Sequence, residues 1–236
     1  MISVKTLNNK VSTINNKINH AFEGVKFDNT SMFSTTAWTS GSPKSWNHTI
    51  TGGTNRLLIV YIFNASLTNI SSVTYSGTTM ILGKQETFFG TLRHTCYYLK
   101  NPNVGTGQIT VTISNNTGNS SFSAASYNGV NQTNPVDTVV MAIQPTNYPT
   151  SSTTKSYTGY TYSSGSTSWM VGCIPYNSSV SAMTWIGAKR RGTKNSANGA
   201  ELYDSDGIIS TGNYYYYGTS PVAQQGVLIG ISINSV

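Results

Sequence analysis

Gln108-Ile-Thr-Val-Thr-Ile-Ser114 decides the fold class. Ile109, Val111 and Ile113 alternate with Thr110 and Thr112. That period of two gives an extended strand one apolar face and one hydroxylated face. Asn115-Asn-Thr-Gly-Asn119 supplies a turn behind it, and Phe122 to Tyr127 resumes as a strand up to Asn128-Gly129. Upstream, Arg56-Leu-Leu-Ile-Val-Tyr-Ile-Phe63 is an unbroken run of β-branched, aromatic and Leu residues, the pattern of a strand buried in the core. Val73-Thr-Tyr75, the Ser76-Gly77 turn, Thr78-Thr-Met-Ile81 and Thr91 to Leu99 follow, the last stopped by Asn101-Pro102. Downstream, Trp169 to Ile174 and Gly226 to Ile233 read as two further strands. About eight to eleven strands at short spacing, with no alternation of strands and helices, predict one antiparallel sandwich.

The composition agrees. Only 9% of the 236 residues are charged, against roughly 25% in ordinary soluble domains. Ser, Thr, Asn, Gly and Tyr take their place, so solubility must come from hydroxyls and amides. This is the composition of an extracellular β-protein, not of a metabolic enzyme. The net charge of +7 comes from 14 Lys and Arg against seven acids. Lys5, Lys10 and Lys17 precede the first acid, Glu23, and Lys189, Arg190, Arg191 and Lys194 form the only dense basic cluster. The excess reflects few acids rather than a basic stripe, and no nucleic-acid partner is expected. No stretch is long and apolar enough for membrane insertion. Met1 to Lys10 lacks the apolar run of a secretory signal, which suggests release by cell lysis.

Val4, Leu7, Val11, Ile14 and Ile18 recur at spacings of three and four, a heptad seam that predicts an oligomerising or attaching helix over residues 1–25. Trimer is preferred over dimer. Residues 26–45, rich in Ser and Thr, read as a linker or an extended first strand, and 46–236 as the sandwich.

Catalytic groups are few. His20 lies in the heptad, His48 near the first strand and His94 mid-strand, and neither His nor Cys is paired at ligand spacing. Glu86 and Glu201 have no local carboxylate partner for glycoside hydrolysis. The expectation is a non-enzyme with no catalytic residues, no metal and no cofactor. Asp204-Ser-Asp206-Gly207 holds part of a calcium loop without its Glu, and a β-turn explains it with fewer assumptions; calcium is left open there. Cys96 and Cys173 read as buried thiols, with a disulfide left open. Tyr214, Tyr215, Tyr216 and Tyr217 stand between glycines. Tyrosine offers a flat face and a polar tip that suit stacking on sugars, while alternation on a strand would make two of the four structural. Lys189, Arg190 and Arg191 could draw in an anionic glycan or form a solvated loop.

Asn55-Arg-Leu-Leu-Ile-Val60, Ile70-Ser-Ser-Val-Thr-Tyr-Ser-Gly77, Tyr98-Leu-Lys-Asn-Pro102, Gly107-Gln-Ile-Thr-Val-Thr-Ile113 and Ala124-Ala-Ser-Tyr-Asn-Gly-Val-Asn-Gln-Thr-Asn-Pro135 follow in this order. Together they resemble the jelly-roll-like domain of phage fibre, tail and capsid decoration proteins, found also in some bacterial surface proteins. The resemblance covers roughly residues 50–236 and brings no catalytic residues. It implies a jelly-roll-like sandwich on the virion surface as a head fibre, decoration protein or short tail appendage. The implied partners are its own copies, capsid or tail proteins, and a host-surface glycan. A secreted monomeric carbohydrate-binding module and a glycosidase are the alternatives.

Overall fold

The computed structural model describes residues 24–35, 38–64, 66–67, 69–88, 92–115, 118–142, 155–163, 168–175, 184–194, 199–209, 212–220 and 228–236. Among them every element is a β-strand and every strand pairing is antiparallel. The fold is all-β and sandwich-like. The heptad positions Val4, Leu7, Val11, Ile14 and Ile18 lie outside the described residues.

A central sheet runs in the order β1 (Lys26–Thr35), β9 (Ser120–Asn128), β3 (Leu57–Asn64), β7 (Leu92–Lys100) and β6 (Ile81–Phe88). A second sheet orders β2 (Lys44–Ile50), β8 (Gly105–Ile113), β4 (Ile70–Tyr75) and β5 (Thr78–Thr79). A third orders β10 (Val136–Ala142), β17 (Leu228–Asn234), β12 (Ser168–Pro175), β15 (Ala200–Asp204) and β14 (Lys189–Lys194). A small fourth sheet orders β11 (Lys155–Ser163), β16 (Gly212–Ser220) and β13 (Thr184–Ile186), with β11 against β10 and β17.

The unbroken apolar run of β3 explains the layering. All eight of its residues are buried. Alternation sends Leu58, Val60 and Ile62 into one core with Val73, Tyr75, Ile109, Val111 and Ile113 of the second sheet. Leu57, Ile59 and Tyr61 enter another core with Trp169, Val171, Cys173, Ile229 and Ile231 of the third sheet. A strand covered on both faces needs no polar alternation. The central sheet is thus shared by two apolar layers, where the sequence predicts a single sandwich. Each fully buried Leu, Ile or Val adds about 1.5–3 kcal/mol to the hold between layers.

Residues 26–45 contain strand β1 and the start of β2, and both Val25 and Trp38 are buried. Phe27, with Phe33 on the opposite side of the strand, ties β1 to its neighbours. Phe33 packs with Trp46 and Phe122, while Phe27 meets Tyr127 edge-on.

Candidate functional site

The tyrosine run lies on β16, the middle strand of the fourth sheet rather than an edge or a loop. Its register with β11 sets Tyr214 opposite Thr161, Tyr215 opposite Tyr160, Tyr216 opposite Gly159 and Tyr217 opposite Thr158. The two strands Lys-Ser-Tyr-Thr-Gly-Tyr-Thr-Tyr-Ser and Gly-Asn-Tyr-Tyr-Tyr-Tyr-Gly-Thr-Ser hold seven tyrosines of the chain's 15. Tyr157, Tyr160 and Tyr162 were not singled out from sequence, although Tyr-x-x-Tyr-x-Tyr is itself a readable signal.

The basic cluster lies on β14, an edge strand in another sheet. A register shift between Arg190 and Gly192 turns Arg191 inward, and its side chain is only 10% exposed. There the guanidinium takes Asp204 through Nε at 2.6 Å and Asp206 through Nη2 at 2.6 Å. It also lies over the Phe27 ring, 4.6 Å from the centroid. Lys189 donates to Asp206 at 3.0 Å, and Arg190 approaches Glu201 at 3.6 Å. Tyr127 donates to Asp204 at 3.0 Å. Burial pushes the Asp204 carboxyl up, opposed by its bonds to Arg191, and burial pushes the Tyr127 hydroxyl well up. Lys189 and then Arg191 hold the Asp206 carboxyl down. The carboxylates of the partial calcium loop therefore face cationic side chains. Among the described residues no group of three or more His, Cys, Asp or Glu could hold a metal ion.

Other expected groups are apart. Glu86 pairs with Lys84 at 2.7 Å on β6, while Glu201 is buried on β15 of a different sheet. Cys96 and Cys173 are free and buried in the core between the central and third sheets. Burial pushes the Cys173 thiol up to about 12, and Cys96 higher still. His94 is buried against Tyr61 and Phe63.

One polar constellation was not found from sequence. His48, 1% exposed on β2, has Nδ1 2.9 Å from Ser31 Oγ and Nε2 3.1 Å from Ser126 Oγ. Ser126 Oγ in turn donates to Asp28 Oδ2 at 2.7 Å, and Trp46 Nε1 donates to Ser31 Oγ at 3.1 Å. Asp28 also accepts from the Thr51 backbone N–H at 3.2 Å and from the Thr51 hydroxyl. Because Ser126 gives its proton to a carboxylate, the ring's Nε2 must be the donor toward it. Ser31 then donates to Nδ1. Burial pushes the imidazole down from 6.5 to about 4, against the opposing pull of Asp28. Such a ring is a weak base, held neutral.

The outer face of the second sheet carries hydroxyls and amides. Ser45 bonds Thr110 at 3.0 Å and Thr49 bonds Thr106 at 2.9 Å, with Asn47 opposite Gln108 between them. Lys44 is the one charged residue in that sheet. No protein-family model, curated protein or solved structure matches the chain.

Proposed function

We propose that the chain is a non-enzymatic structural protein of a phage virion, a head fibre, capsid decoration protein or short tail appendage. In this reading it displays a jelly-roll sandwich outward from a short N-terminal trimerising helix. The observation that carries the reading is the nesting of strand pairs. β1 pairs with β9, β2 with β8, β3 with β7, and β4 with β5. Alternate pairs fall in alternate sheets, β1-β9-β3-β7 against β2-β8-β4-β5. Such nesting across two facing sheets is what a jelly-roll winding calls for, and that winding is common in viral capsid and lectin domains. The stretches that resemble the phage domain, from Asn55 to Pro135, supply β4, most of β8, the start of β3 and the ends of β7 and β9.

Adhesion to a host-surface glycan through Tyr214–Tyr217, with Lys189, Arg190 and Arg191 as a secondary contact, completes the proposal. Each cation of that trio already has an acidic partner, so the tyrosines carry the adhesive part. The seven tyrosines on β11 and β16 also favour a second reading, a secreted monomeric carbohydrate-binding module. Imaging of intact particles with an antibody to residues 26–236 separates the two. Label on head, neck or tail supports the virion protein, and its absence from particles overturns that reading.

A further inference from the structure

β1 is an edge strand, yet it is held from three sides. β9 pairs with it from Lys26↔Asn128 to Thr35↔Ser120, with a bulge between Phe27 and Asn29. The third sheet holds it through Arg191 over Phe27, and through Gly192, where an added Cβ would stand 2.7 Å from Thr30 Oγ1. The second sheet holds it through Asn29 Nδ2 to the Thr49 carbonyl at 2.9 Å, Asp28 to Thr51, and Trp46 and His48 to Ser31. His48 also reaches Ser126 of β9, so a single ring connects three strands.

The surroundings of this ring are poor in charge. From β1 the Asp28 carboxylate approaches through Ser126, and Ser31 is neutral. From β9 comes Ser126, and from β4 comes Tyr75, whose hydroxyl donates to the His48 carbonyl at 3.3 Å. On β8 the residue opposite His48 is Gly107, which brings no side chain. Along β2 the inward neighbours are Trp46 and Ile50, with Lys44 at the strand's start.

We propose that His48 is an acid-operated latch on β1: uptake of a proton by the ring frees Lys26–Thr35 from β2 and β9 while the rest of the sheets stays paired. The proton goes to Nδ1, which then no longer accepts from Ser31. Ser31 Oγ meets two donors, Nδ1–H and Trp46 Nε1–H, and its own hydrogen loses its acceptor. The new cation is buried with one carboxylate at one remove. Opening β1 returns the ring to water, where it protonates normally. β1 is less costly to release than β3 or β12, being half-buried along its length where those strands are buried throughout. The device does not depend on the virion reading.

The closed form favours the neutral ring. Its advantage is therefore complete above pH 6.5 and is lost as pH falls from 6.5 toward about 4. The opening equilibrium of β1 rises by about 50- to 100-fold between pH 8 and pH ~4.5. The full chain tests this by amide exchange with mass spectrometry across that range, corrected for intrinsic exchange rates. The expected result is a loss of protection of about 50-fold in 26–35, with 57–64 and 105–113 unchanged, and no such loss in His48→Gln. Unchanged protection of β1 down to pH ~4.5, or acid release that persists in His48→Gln, overturns the proposal. Should His48→Gln not fold, the wild type decides. The NMR titration of the His48 ring and the opening of β1 must share a midpoint, and ring protonation with β1 still protected refutes the latch.

Discussion

The hydroxyl of Tyr127 on β9 lies 3.0 Å from Asp204 Oδ2 on β15, joining the central sheet to the third through a fully buried carboxylate. Arg191 occupies the other approach to the same oxygen at 2.6 Å. Removing either partner leaves Asp204 under-satisfied, but not equally.

Tyr127→Phe keeps the ring against Phe27 and Trp169 and deletes one hydrogen bond to a charged acceptor, costing about 1.5–3 kcal/mol. Arg191→Met leaves a buried carboxylate without its cation and costs about 3–5 kcal/mol. Urea denaturation of both variants should rank them in that order. Equal midpoints would show that Arg191 contributes no more than a neutral bond.

Val111 is fully buried between the second and central sheets. Val111→Asp should unfold the domain, because an unpaired buried charge costs several kcal/mol, about the whole stability of a domain. Gln108→Lys on the exposed face of the same strand should change stability by less than about 0.5 kcal/mol. Circular dichroism melts of the pair check the assignment of faces.

The tyrosine run should show an alternating mutational pattern. Tyr215 and Tyr217 fall in one set of the period of two, with Tyr160 and Tyr162 of β11, and Tyr214 and Tyr216 in the other. Alanine at one pair should lower host-surface adsorption with the melting temperature held, while alanine at the other should lower the melting temperature. Individual ring contacts of about 1–2 kcal/mol at most become effective through many copies on one particle. If both pairs destabilise, or neither changes adsorption, the tyrosines are structural.

The heptad Val4, Leu7, Val11, Ile14 and Ile18 should make the full chain a trimer by light scattering at micromolar concentration. Removal of residues 1–23 should leave a folded monomer, since the cut spares the buried Val25. A monomeric full-length chain would remove the oligomeric part of the proposal.

The strands built on apolar periodicity were legible in sequence. Gln108–Ser114 and Arg56–Phe63 mark β8 and β3 to within a few residues, and Trp169–Ile174 falls inside β12. The number of layers was not legible. The β3 run indicates burial on both faces, but the residues that cover its second face lie more than a hundred positions away. β1 was ambiguous because Lys-Phe-Asp-Asn-Thr-Ser-Met-Phe-Ser-Thr has no apolar alternation. The inward turn of Arg191 depends on a one-residue shift against β15, which flips a side chain without leaving a compositional trace. The His48 constellation draws on residues 28, 31, 48 and 126, and only the pairing of β1 with β9 and the packing of β2 against them from the other sheet bring them together.

The nested pairing also sets an order of events at the ribosome. β1 leaves the exit tunnel before any other described strand, but its partner β9 is completed only at Asn128. At usual elongation rates the wait is roughly 5–20 s. The neighbours β4 and β5, or β6 and β7, can close as soon as they emerge. During that interval β1 is a naked edge, and the Asp, Asn, Thr and Ser between Phe27 and the Met32–Phe33 pair keep its apolar stretches short.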